Sequence, residues 1–274
     1  MAGRGIRERD ESELGHYRTV RTNIPPMSFP IPFPDPLPVQ IDPCPIVESI
    51  FEMRFAANEP WATLPGLLYA QVRERYREQK ALPLAELPEE IRRHDAALAH
   101  LPLHQFISPD FLIQLGPRVV GLATRPNAYP GWPRIEEELR WLLPHIEAAG
   151  FVSEGERLGV RYIDFFAQDI FSHLHLDLTL AGKSLGDAER RVSTVLRHEA
   201  LTIRLAVTNS AVVGQREDVR RGSVLDVDAW FAAPDFDLFT NGIERFSEAH
   251  LAIKRLFFGL LREEYLRSLH PRYA

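Results

Sequence analysis

The chain has 274 residues, 45% hydrophobic and 26% charged, an ordinary globular composition long enough for one large domain or two small ones. Its formal net charge of −6 does not favour nucleic acid as a partner, although a local basic patch remains compatible with that average. A single cysteine, Cys44, excludes an intrachain disulfide and a multi-cysteine zinc site and fits a reducing, cytoplasmic setting.

Residues 1–23 are polar and charged, residues 1–13 alternate charges and carry no apolar signal-peptide core, and no run of about 18 apolar residues predicts a membrane span. Nine of the 22 prolines fall in residues 25–45. Proline fixes φ and removes a backbone donor, so this stretch predicts an extended, polyproline-like arm. Its apolar residues, Met27, Phe29, Ile31, Phe33, Leu37 and Val39, alternate with the prolines and predict docking on a folded domain, its own or a partner's. The arm is assigned to residues 1–42 and a single domain to 43–274, with halves of similar outline at 43–150 and 151–274.

The domain opens with a strand over 47–55, with Val47, Ser49, Phe51, Met53 and Phe55 on one face and Glu48, Ile50, Glu52 and Arg54 on the other. A helix follows over 61–76, then a helical or irregular connection over 81–102. Strands are expected at 104–107, 111–115 and 119–124, with Gly116-Pro117 turning the last pair. Residues 132–149 predict a helix with Pro133 in its first turn, the stripe Ile135, Leu139, Leu142 and Ile146, a kink at Pro144 and Gly150 as its stop. Further strands are expected at 158–166, 174–180, 192–196, 201–207 and 224–230, and one long helix at 238–269. Strands and helices do not alternate strictly, which predicts an α+β fold: a mainly antiparallel sheet covered on one face by amphipathic helices.

Four groups of residues could carry chemistry. His173, His175 and Asp177 alternate with leucines; on a strand they share one face and offer two imidazoles and a carboxylate to zinc or iron. The same alternation also describes a polar solvent face. Glu48, Glu52 and Arg54 on one strand face, and Arg157 and Arg161 on another, predict a carboxylate–guanidinium network if those strands adjoin. Arg161 then either fixes strand register, with Glu48 or Glu52 as partner, or binds an anionic ligand. Asp226 and Asp228 point two carboxylates to one face, a pattern shared by cation sites, proton shuttles and plain exposed strands. His250 sits in the apolar stripe Ile243, Phe246, Ile253, Phe257 and Leu260, where a core histidine paired with Asp226 or Asp228 is the default expectation. No Walker loop, nucleophile elbow, dinucleotide fingerprint or His-Glu-x-x-His motif is present, and no cofactor is expected.

Several short motifs run through the chain: Pro45-Ile46-Val47-Glu48, Tyr129-Pro-Gly131-Trp132, Arg157-Leu-Gly159-Val-Arg161-Tyr162-Ile163-Asp164, Leu225-Asp226-Val-Asp228 and His250. In these the chain resembles a sporadically distributed family of uncharacterised bacterial and archaeal proteins, across most of residues 43–270. It departs from that pattern at Asp164, where the family more often has asparagine, and over 255–262. The resemblance supplies no catalytic residue. The family's patchy distribution implies a mobile accessory or defence-type locus, such as toxin–antitoxin. The resulting expectation is a binding or assembly protein with a protein partner or self-association. The rivals are a metal-dependent enzyme using His173, His175 and Asp177, an enzyme using Asp226, Asp228 and His250, and a nucleic-acid-associated factor using Arg190, Arg191, Arg197, Arg216, Arg220 and Arg221.

Overall fold

The computed structural model describes residues 33–95, 98–186, 188–213 and 219–274. Nine strands form one antiparallel sheet: β1 (Ile46–Ala57), β2 (Glu78–Ala81), β3 (His104–Ile107), β4 (Phe111–Gly116), β5 (Val119–Thr124), β6 (Val152–Phe166), β9 (Arg191–His198), β10 (Leu201–Val213) and β11 (Arg220–Ala232). Two short strands, β7 (Thr179–Leu180) and β8 (Lys183–Ser184), pair with each other alone. The helices are α1 (Leu64–Val72), α2 (Glu89–His94), α3 (Trp132–Ala149), α4 (Gly242–Leu260) and α5 (Glu263–Ser268). None is long and apolar enough to cross a membrane.

The strand order is β2-β3-β4-β5-β1-β6-β11-β10-β9. From the β1–β6 pair outward, each side reads the same: a first strand, the last strand of that half, then the preceding strands in reverse. One continuous sheet thus joins residues 43–150 to residues 151–274.

The period-2 pattern of the central strands decides which face is covered. Phe51, Met53 and Phe55 of β1, Leu158 and Val160 of β6, Val227 and Phe231 of β11 and Ile203 of β10 are buried. They meet the helix layer, to which α3 gives Ile135, Leu139, Leu142 and Ile146, and α4 gives Phe246, Ala249 and Ile253. The helix α3 occupies the range its pattern predicts, with Pro133 in the first turn and Gly150 ending it at φ 72°, a left-handed conformation that favours glycine.

Two expected elements are replaced, for one shared reason. The terminal helix is interrupted: Leu261 is extended (φ −73°, ψ 132°) between α4 and α5. The segment expected to be a strand at 174–180 instead follows a 3-10 turn over Ile170–His173 as irregular chain, paired only at the Leu174 bridge and in the two residues of β7. The backbones of these segments bind each other. His175 N–H donates to the Leu260 carbonyl, Arg262 N–H donates to the His173 carbonyl, and Leu174 bridges Leu261. Helix ends leave carbonyls without intrahelical partners, and here the 173–175 segment supplies a donor. The α1 helix is also shorter than expected, because the chain leaves it at Val72 and buries Tyr76 against α3, where its hydroxyl donates to Glu138 at 3.0 Å.

The arm reaches the domain within the same chain. Val39 N–H donates to Arg272 carbonyl, Arg272 N–H to Gln40 carbonyl and Asp42 N–H to Leu269 carbonyl, while Ile41 is buried and Leu37 packs on the core. Phe33 lies under the Arg255 guanidinium, 4.6 Å from ring centroid to carbon. Met27, Phe29 and Ile31 fall outside the described residues.

Candidate functional site

The sheet has two chemically different faces. On the face away from the helices, β1, β6, β11 and β10 carry a charged ladder. Arg157 donates to Glu52 at 2.5 Å and to Asp228 at 2.6 Å, Arg54 donates to Glu52 at 2.6 Å, and Arg204 stands 3.6 Å from Asp228. Arg161 grips Asp226 with both arms of its fork, at 2.7 and 2.8 Å. Sequence reasoning expected Glu48 or Glu52 as the partner of Arg161; the structure gives Asp226. The register explains the change. Arg161 faces Asp228 across the β6–β11 pair and Ile50 across the β1–β6 pair. Arg157 lies flat over Gly159, where a Cβ would stand 3.1 Å from its guanidinium, and from there it takes both Glu52 and Asp228. Arg161 is left with Asp226, a diagonal cross-strand contact. Glu48 stays near Arg161, its carboxyl pushed up by burial against the pull of that arginine. Counting the named groups, four carboxylates (Glu48, Glu52, Asp226, Asp228) face four guanidiniums (Arg54, Arg157, Arg161, Arg204). These pairs tie β1, β6, β11 and β10 together side by side, as a ladder that fixes strand register does.

The helix-side face holds a cavity of about 520 Å³. Its walls are the arm from Pro38 to Ile46, the Tyr129–Pro133 loop that leads into α3, Tyr162 and Asp164 of β6, and His250, Ile253, Lys254 and Phe257 of α4. The loop conformation follows from Gly131, whose φ of 90° turns the chain into the helix. His250 stacks on Trp132 with ring centroids 4.3 Å apart and planes 6° apart, and its Nδ1 hydrogen-bonds the Tyr162 hydroxyl at 2.9 Å. Tyr129 packs edge-on against the Tyr162 ring at 5.8 Å. Burial drives the phenols up, Tyr129 to about 12, and drives His250 down to about 3, with the Lys254 charge adding to the latter. His250 is therefore a neutral ring held in an aromatic stack. Its expected partners, Asp226 and Asp228, lie on the opposite face of the sheet and do not reach it.

Asp164 sets this cavity apart. Five polar or charged residues are buried in the described structure: Ser49, Thr124, Glu138, Asp164 and Ser223. Ser49 and Thr124 bond each other, Glu138 accepts from Tyr76 and Arg75, and Ser223 accepts from the Ile170 N–H. Asp164 is 2% exposed, borders the cavity and has no hydrogen-bond or ion-pair partner among the described residues. Burial, with the Asp226 charge behind it, raises its carboxyl to about 8. It is a neutral acid near pH 6 that opens onto the cavity rather than pairing within the protein.

The remaining sequence candidates are dispersed. The strand face that was to align His173, His175 and Asp177 does not form. His173 stacks on Tyr265 at 4.3 Å, His175 is exposed, and Asp177 accepts from Arg262 at 3.2 Å. Among the described residues no three His, Cys, Asp or Glu side chains gather as a metal site. Of the arginines considered for nucleic acid, Arg190 pairs with Asp169, Arg220 stacks on Phe165 and bonds Asn127, and Arg216 lies outside the described residues. The cavity residues Tyr129, Trp132, Tyr162 and Asp164 occur in the motifs above, but none was assigned a site by sequence reasoning. Strand parity carried the missing signal: Asp164 shares the buried face of β6 with Leu158, Val160 and Tyr162. The chain matches no known family profile and no curated protein.

Proposed function

We propose that the protein is a binding protein whose cavity between the arm, the α3 entrance and α4 holds a small molecule. The observation that carries this reading is Asp164, a buried and unpartnered carboxyl at the edge of an aromatic-lined space. Ligand sites are typically concave, mostly apolar spaces of about 300–1,000 Å³ with a few convergent polar groups. Perturbed acids and bases also cluster at such sites. The cavity meets both descriptions, whereas the ladder on the other face is made of cross-strand ion pairs. On the family resemblance, the setting of this binding is a cytoplasmic accessory or defence-type locus, in which the protein acts with a protein partner or a second copy of itself.

The test uses the full chain. A fragment library is screened by melting temperature, and hits are checked for protection of Cys44, the single cysteine and a cavity-wall residue, against a thiol reagent. Binding to the native state raises the melting temperature by mass action. The reading expects hits that do both and that lose both effects in Asp164→Asn. Hits that stabilise without protecting Cys44, or no hits at all, contradict it.

A further inference from the structure

Asp164 has an opposite number in the same cavity. Lys254, half-buried on α4, borders the space, and burial lowers its amine from the usual lysine value. Like Asp164, it has no carboxylate partner among the described residues, and the two do not pair with each other. Between them the wall carries Cys44, Tyr129, Tyr162 and His250. The thiol and both phenols are shifted up and the imidazole down, mainly by burial, so each stays uncharged near neutral pH. The remaining charge that bears on Asp164 is Asp226, behind it on the other face of the sheet. The cavity therefore presents one acid and one amine, separated, on an otherwise neutral aromatic and aliphatic wall.

Resting on the ligand-binding reading above, we infer that this cavity takes a small zwitterion, with a protonated amine for Asp164 and a carboxylate for Lys254 on one apolar or aromatic body, the chemical class of the amino acids. A simple cation would meet the Lys254 ammonium uncompensated. A simple anion would leave Asp164 buried without a partner, which is unfavourable. A zwitterion satisfies both groups by charge-assisted hydrogen bonds. The rings of Tyr129, Trp132 and Tyr162 add a surface suited to an ammonium group. Binding converts the neutral Asp164 to a carboxylate and releases one proton to solvent.

The experiment is calorimetric titration of the full chain near pH 7 with four probes that share one ring: 3-methylindole, tryptamine, indole-3-propionate and tryptophan. Tryptophan is expected to bind tightest and 3-methylindole weakest. Asp164→Asn should remove the advantage of the amine, and Lys254→Met that of the carboxylate, each about tenfold or more. Asp164→Asn keeps the side-chain length, Lys254→Met shortens it by one atom, and melting curves verify folding. The ranking of the four probes on the unaltered protein decides the matter even if a variant fails to fold. If 3-methylindole binds as well as tryptophan, or if the charge advantages survive both substitutions, the zwitterion inference falls while the ligand-binding reading stands. If no probe binds at millimolar concentration, the inference falls, and the separate fragment screen decides the broader reading.

Discussion

Asp164 and His250 pull the pH dependence of stability in opposite directions, and the signs follow from their shifts. Asp164 is raised from 3.8 to about 8, so between those values the folded state binds the proton that the unfolded state has released, and stability falls as pH rises. His250 is lowered from 6.5 to about 3, so between those values the unfolded state binds the extra proton, and stability climbs as pH rises. Each contributes a slope of about 1.4 kcal/mol per pH unit, so they offset from about pH 4 to 6.5 and Asp164 acts alone above that. Chemical denaturation of wild type and Asp164→Asn should therefore diverge by about 2 kcal/mol between pH 6.5 and 8, in favour of the variant at high pH. Parallel pH profiles would show that Asp164 is already ionised in the folded state. This residue was half legible in the sequence: alternation along β6 places it on the buried face, but the absence of a partner depends on which residues of the arm and α4 close around it. His250 was legible as a buried histidine, yet its stack on Trp132 joins residues more than a hundred positions apart, and local pattern cannot report that.

At the scale of elements, the charged ladder fixes how β1, β6, β11 and β10 align. Arg157 is well buried and serves two carboxylates, whereas Arg161 is 38% exposed and serves one. Arg157→Ala should cost about 3 kcal/mol, near the lower bound for breaking a buried pair, because one guanidinium that joins Glu52 and Asp228 across three strands is lost and each keeps only Arg54 or Arg204. Arg161→Ala should cost about 1 kcal/mol or less, the range for a partly exposed pair. Urea unfolding of both variants tests the order; equal losses would mean that the ladder does not act through Arg157. The strands of this ladder were readable because period-2 alternation is strong where one face is buried. The segment at 174–180 also alternates, but its backbone is taken up by the end of α4, so period alone misassigned it. The terminal helix kept its apolar stripe across the break at Leu261, which is why the interruption left no trace in the pattern.

For the whole molecule, the arm is structural: its backbone bonds to the C-terminal tail, and residues 38–46 form one side of the cavity. Deleting residues 1–41 should lower the melting temperature by several degrees, since Ile41 and Leu37 lose their packing and roughly 1 kcal/mol is worth about 2–4 °C in a chain of this size. It should also speed the reaction of Cys44 with thiol reagents. An unchanged melting temperature would reduce the arm to a leader. The α+β class and the single helix-covered face were legible from the order and periodicity of elements, whereas the cavity was not, because it depends on the arm, a loop, a strand and a helix meeting in space. The central claim is that Asp164 is a neutral acid waiting for a ligand, and carbon-13 NMR of the aspartate carboxyl groups near pH 6.5 tests it most directly. The account predicts that the Asp164 resonance, assigned by its loss in Asp164→Asn, reports a protonated acid in the free protein and a carboxylate once a stabilising ligand is bound; a carboxylate in the free protein, or a resonance unmoved by such a ligand, would contradict it.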